Sequence, residues 1–101
     1  MNRENARQIV QELLNDVIEQ GFHHLLRHTQ QSDDLNLIIK DATDEMNQQL
    51  MHLDDRSIVD DPAILARHYK SIIAEAELKS LHLLSRLQKI QQLDNPRLKR
   101  V

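Results

Sequence analysis

The sequence has no cysteine, one glycine and two prolines among its 101 residues. Without cysteine, a disulfide framework, a thiolate nucleophile and a cysteine-ligated zinc are all excluded. One glycine and two prolines supply too few turn residues for a many-stranded sandwich or barrel. The abundance of leucine, isoleucine, glutamine and glutamate favours helices instead. We therefore expect an all-α protein with a single helical domain over residues 1–101.

Large rings and long apolar runs are also scarce. Phe22 and Tyr69 are the only large aromatic residues, so we expect an aliphatic core. Residues 1–10 lack the apolar run of a secretory signal, and no stretch approaches the ~18 apolar residues of a membrane span. These absences predict a soluble, intracellular protein.

Apolar residues recur at intervals of three and four, which predicts helices with one buried face. The first stripe runs from Ala6 to Leu26, and Gly21 either lies within that helix or ends it. A second helix is expected to begin at Asp33, with Ser32 as its N-cap, and to end at Asp54.

The third helical segment has the clearest start in the chain, because Asp61 is a good N-cap and Pro62 suits the first helical position. Its apolar stripe continues to Ile90 but has a gap at Lys79 and Ser80. The gap predicts a break near Ser80, giving helices 62–78 and 80–93. The alternative is one helix of about 32 residues, nearly 50 Å long, whose apolar face a second chain would complete.

Charge is unevenly distributed along the chain, with net charges of −1 over residues 1–31, −7 over 32–61 and +5 over 62–101. We expect the acidic and basic segments to be antiparallel neighbours that satisfy each other. The alternative is a basic outer face for anionic lipid or nucleic acid. An acidic total, a pI near 6.0 and few aromatic residues argue against nucleic acid.

No arrangement of residues predicts catalysis. His24 and His28 have the i,i+4 spacing of a metal-binding pair, but they lie off the apolar stripe, so we expect exposed histidines and no metal site. Asp41, Asp44 and Glu45 resemble half of a magnesium site in all-α pyrophosphohydrolases. Those enzymes need a second acidic pair on a facing helix, and Glu75 and Glu77, spaced i,i+2, do not share a face. The Gly-rich phosphate loop and the catalytic triad pattern are both missing. We therefore expect neither enzymatic activity nor a cofactor.

The run Asn5-Ala6-Arg7-Gln8-Ile9-Val10-Gln11-Glu12-Leu13-Leu14-Asn15-Asp16-Val17 resembles the first helix of bacteriocin immunity proteins of the enterocin A type. Residues 35–50 are similar to the second helix of that family. Asp61-Pro62, followed by Leu65 and Arg67, resembles the start of the third, and residues 83–90 resemble the fourth.

This resemblance implies an antiparallel four-helix bundle that acts without catalysis in the cytoplasm of a bacteriocin-producing Gram-positive bacterium. Its implied partner is the membrane permease of the mannose phosphotransferase system together with bacteriocin, which would place the protein at the inner face of the membrane. The carboxyl-terminal half would carry specificity, including a short basic tail over residues 94–101. The candidate partner-binding residues are the basic side chains expected to be exposed in that half: Arg86, Lys89, Arg97, Lys99 and Arg100.

Two other functions compete with this one. The first is a dimeric helical adaptor, chaperone or antiactivator that binds a protein client, in which residues 62–93 form one shared helix. The second is a metal-dependent enzyme or metal binder based on His24 and His28. The immunity hypothesis favours a monomer, and the adaptor hypothesis requires a homodimer.

Overall fold

A computed structural model describes residues 2–27, 31–55 and 61–94 of the chain, without the side chains of residues 92–94. Within these ranges the protein has three helices and no strand: α1 (Arg3–Arg27), α2 (Ser32–Leu53) and α3 (Pro62–Asp94). The all-α prediction is confirmed. The four-helix bundle expected from the resemblance is not supported, and the alternative with three helices fits.

The first helix begins at a side-chain cap and runs straight through its glycine. The amide of Asn5 donates to Oδ1 of Asn2 at 2.8 Å, which satisfies one of the free amides of the first turn. Gly21 is buried where α1 lies against α2, and a Cβ atom placed on it would come 2.8 Å from Cγ1 of Ile39. This glycine therefore allows the two helices to approach closely.

The second helix begins one residue earlier than predicted. Ser32 is its first residue, and Gln31 occupies the N-cap position without a side-chain hydrogen bond to the helix. The prediction of Ser32 as the cap is therefore wrong. Asp33 and Asp34 do lie in the first turn, where the positive end of the helix dipole favours carboxylates.

The third helix is one continuous element of 33 residues, so the predicted break near Ser80 is wrong. Ser80 is buried, and its hydroxyl donates to the carbonyl oxygen of Glu77 at 2.9 Å. Because its polar atom is satisfied within its own helix, this small side chain continues the buried stripe between Ala76 and Leu83. The start of the helix agrees with prediction, since Oδ1 of Asp61 accepts a hydrogen bond from the amide of Ala63 at 2.8 Å.

The helices run up, down and up, and each one contacts the other two. Nη2 of Arg7 donates to Asp54 at 3.2 Å, which places the start of α1 beside the end of α2. Nε2 of His68 donates to the carbonyl oxygen of His52 at 2.8 Å, so the first third of α3 lies beside the end of α2. Hence α2 is antiparallel to both neighbours, and α1 and α3 are parallel.

The core is aliphatic, as predicted from the scarcity of rings. Phe22 is 51% exposed and Tyr69 is only partly buried. The three helices all contribute to one buried cluster, which consists of Ala6, Val10, Leu14, Val17, Leu35, Ile38, Ala42, Leu53, Ile72, Ile73, Ala76, Leu83, Leu87 and Ile90. Because α1 and α2 bury the α3 members of this cluster, a single chain covers the long helix along most of its length.

Candidate functional site

The basic residues expected at the partner surface differ in exposure and in pairing. Arg86 is half-buried, and its Nη1 donates to Oδ2 of Asp41 at 2.8 Å, so the expectation that it is exposed is wrong. Lys89 is exposed on α3. Arg97, Lys99 and Arg100 lie outside the described residues, as does the basic tail apart from Asp94. The structure therefore assigns one of the five basic side chains to an interhelical ion pair.

The acidic second helix is balanced partly by both of its neighbours. Besides the Arg86 pair, Asp54 just beyond α2 accepts salt bridges from Arg3 at 3.4 Å and Arg7 at 3.2 Å, both on α1. Lys40 pairs with Asp44 at 2.9 Å on the surface of α2, and this hydrogen bond and the attraction of Asp44 raise the pKa of Lys40. The second and third helices are antiparallel neighbours, as predicted, and one salt bridge between described residues, Arg86–Asp41, joins them, while α1 supplies two to Asp54.

The residues considered for metal chemistry are not gathered around one point. His24 is buried, against the prediction of an exposed side chain, and His28 lies outside the described residues. Asp41 pairs with Arg86, Asp44 pairs with Lys40, and Glu45 accepts a hydrogen bond from Gln49 at 2.7 Å. Within residues 2–27, 31–55 and 61–94, no three histidine or carboxylate side chains are placed to hold a metal ion.

A groove of about 640 Å³ lies between the parallel helices α1 and α3. It is called the α1/α3 groove below, and its lining consists of Ile9, Glu12, Leu13, Asp16, Glu77, Ser80, Leu81 and Leu84. Ile9, Leu13 and Leu84 pack partly buried against the core and form an apolar floor. Leu81 stands at the edge and is 64% exposed.

The rim of this groove is acidic. Glu12 and Asp16 project from α1, and Glu77 projects from α3. Glu12 accepts a hydrogen bond from Gln8 at 3.2 Å and Asp16 accepts one from Gln20 at 3.0 Å, but these amide donors leave both negative charges in place. In the described part of the chain, no Lys or Arg forms a salt bridge with Glu12, Asp16 or Glu77.

Sequence reasoning did not find this groove, although one signal for it was present. Leu78 and Leu81 fall outside the apolar stripe that faces the core, and both are largely exposed. An exposed leucine is common by itself. Leu81 differs from Leu78 only because it lies beside the part of the apolar floor that α1 contributes.

Comparisons with models of protein families, with curated proteins and with solved structures find no match to this chain. None of the helices in the described ranges has a stretch long and apolar enough to cross a bilayer.

Proposed function

We propose that this protein is a non-catalytic helical module that binds a protein segment in the α1/α3 groove. The observation that carries the proposal is the juxtaposition of an exposed leucine, Leu81, with an apolar floor formed by Ile9, Leu13 and Leu84. Apolar concave surfaces between helices are common ligand sites, and burying one exposed leucine contributes about 1–2 kcal/mol.

A monomer is the form that the packing favours. The apolar face of α3 from Ile72 to Ile90 is already buried by α1 and α2, so it needs no second chain to cover it. This weakens the hypothesis of a shared-helix dimer, in which a second chain completes the apolar face of residues 62–93. We therefore propose a monomeric client-binding module in place of the dimeric adaptor expected from the sequence.

The binding site is tested by placing the photoreactive residue benzoylphenylalanine at position 81 of the protein in the cells that express it. Position 51 on α2 is the control, because Met51 is 74% exposed and lies away from the groove. We expect a discrete crosslinked product from position 81 that is missing from position 51. The same set of products from both positions, or none from position 81, would contradict the proposal.

The immunity function is a second candidate, favoured by one relationship between sequence and structure. The run of residues 5–17 that resembles the immunity proteins forms most of the first half of α1. It contributes all four groove residues of that helix: Ile9, Glu12, Leu13 and Asp16. In this role the protein would act at the cytoplasmic side of the mannose permease when the bacteriocin has engaged it.

An assay of bacterial sensitivity to bacteriocin tests the immunity role separately. Wild-type protein and a Leu81→Glu variant are produced in bacteria that are sensitive to bacteriocins of the enterocin A class. Leu78→Glu is the matched control, because Leu78 is 68% exposed and does not line the groove. We expect protection from wild type and from the control, but not from Leu81→Glu. Failure of the wild type to protect against any tested member of the class would exclude this role.

A further inference from the structure

We propose that the occupant of the α1/α3 groove is a cationic amphipathic helix. This inference rests on the proposed function and specifies its partner. Its basis is the combination of an apolar floor with three carboxylates on the rim, Glu12, Asp16 and Glu77. None of these carboxylates forms a salt bridge with a Lys or Arg of the described residues.

The shape of the groove favours a helix as the bound segment. Its lining on α1 extends from Ile9 to Asp16, which is about two helical turns, or roughly 10 Å. A helix lying along such a groove places apolar residues at positions i, i+3, i+4 and i+7 over the floor of Ile9, Leu13 and Leu84. Its flanking positions then lie over the two rims.

The charge of the rims selects a basic partner. Lysine or arginine beside the bound apolar residues would face Glu12 and Asp16 on one side and Glu77 on the other. Glu19, one turn beyond Asp16 and also exposed, extends the acidic surface along α1. Opposite charges in a partly desolvated groove attract and accelerate encounter, whereas an acidic or neutral helix would leave these carboxylates uncompensated.

The same charges argue against a second copy of this chain in the groove. In a two-fold symmetric dimer the same patch of each copy faces the other. Glu12, Asp16 and Glu77 of one copy would then lie close to the same three carboxylates of its partner. Repulsion between like charges disfavours that arrangement.

The test uses fluorescence anisotropy with the full-length protein and a labelled synthetic helix of about 15 residues, long enough for four turns. The peptide carries leucine at i, i+3, i+4 and i+7 and lysine at the flanking positions. One control peptide replaces every lysine with glutamate, and a second has the same composition with the leucines scrambled. We expect saturable binding of the lysine peptide alone, weakened by at least about tenfold in about 0.5 M NaCl.

Two sets of variants connect this binding to the groove. The charge variant Glu12→Gln/Asp16→Asn/Glu77→Gln is expected to weaken binding at least about tenfold. Its control Glu75→Gln, which removes an exposed carboxylate outside the groove, is expected to leave binding unchanged. Leu81→Glu should abolish binding and Leu78→Glu should not. Unchanged helical circular dichroism and thermal unfolding show that each variant is folded.

The possible results separate this inference from the proposed function. Equal binding of the glutamate peptide, or full binding by the folded charge variant, overturns the cationic partner but leaves the groove as a binding site if Leu81→Glu still abolishes binding. Tighter binding after Arg97→Ala/Lys99→Ala/Arg100→Ala would identify the chain's own tail as the occupant and overturn the inference. If light scattering shows a dimer that Leu81→Glu dissociates, the occupant is a second copy of the chain, and the inference is overturned. No binding of any peptide overturns the inference, and the crosslinking experiment then decides the proposed function.

Discussion

Arg86 on α3 and Asp41 on α2 are joined by a hydrogen-bonded salt bridge of 2.8 Å, although 45 residues separate them in the sequence. The pair connects the acidic second helix to the basic third helix, which is the pairing that the charge distribution predicts. It also changes the interpretation of Arg86. Asp41 already compensates the charge of this guanidinium, so a partner would gain less from Arg86 than from the exposed Lys89, which forms no salt bridge with the described residues.

A double-mutant cycle measures the strength of this pair. We expect Arg86→Ala and Asp41→Ala each to lower the free energy of unfolding, with a coupling energy of about 0.5–1 kcal/mol, because both side chains are partly exposed. Urea unfolding followed by circular dichroism gives the four values. The same cycle on the exposed Lys40 and Asp44 pair is the control and should give a smaller coupling. Additive effects of the two substitutions would show that the salt bridge contributes nothing.

The contact between Gly21 and Ile39 predicts a substitution whose effect changes sign with its background. Gly21→Ala gains about 1 kcal/mol of helix propensity but forces its Cβ against Cγ1 of Ile39, and such overpacking costs about 1–3 kcal/mol. We expect a net loss of stability in wild type. In an Ile39→Ala background the obstacle is gone, and Gly21→Ala should then stabilise by about 1 kcal/mol.

Chemical unfolding of wild type, both single variants and the double variant measures this sign change. A stabilising effect of Gly21→Ala in the wild-type background would mean that Ile39 moves aside at little cost. In that case the glycine is not required for the close approach of α1 and α2.

Gln49 is almost fully buried on α2, and its Oε1 accepts no hydrogen bond from the described residues, while its amide donates to Glu45. An unsatisfied buried acceptor costs about 1–3 kcal/mol, and methionine has a similar length without that polar atom. Gln49→Met should therefore raise the free energy of unfolding by about 1 kcal/mol. Gln48→Met, at the exposed neighbouring position, is the matched control and should change it little. A loss of stability in Gln49→Met would indicate that the amide is needed.

The cap of α3 gives a prediction about the start of the longest helix. Asp61→Ala removes the side-chain oxygen that accepts the Ala63 amide and should cost about 1 kcal/mol of stability. Asp61→Asn keeps an acceptor in the same place and should retain most of it. Urea unfolding of the two variants checks this. Equal losses for Ala and Asn would attribute the effect to the charge at the helix terminus rather than to the hydrogen bond.

Local patterns predicted the helices better than they predicted how the helices meet. Asp61 and Pro62 marked the start of α3 because capping depends on neighbouring residues alone. The pattern predicts a break near Ser80 because a serine interrupts the apolar residues, but its hydroxyl donates to the carbonyl oxygen of Glu77 within the same helix. The expected fourth helix depended on that break and on the resemblance. Because α3 is continuous, the segment is not divided into a third and a fourth helix.

The sequence by itself determined the helical class, the three apolar stripes, the aliphatic core and the attraction between the second and third segments. Each of these follows from composition, from periodicity or from the sum of charges along a segment. Only the tertiary structure decided that Gly21 lies against Ile39, that His24 is buried and that Arg86 is paired. It also decided that Leu81 stands beside Ile9 and Leu13 with acidic residues on both sides. These relationships join residues far apart in the chain, and they depend on the rotation and register of whole helices, which no local pattern specifies.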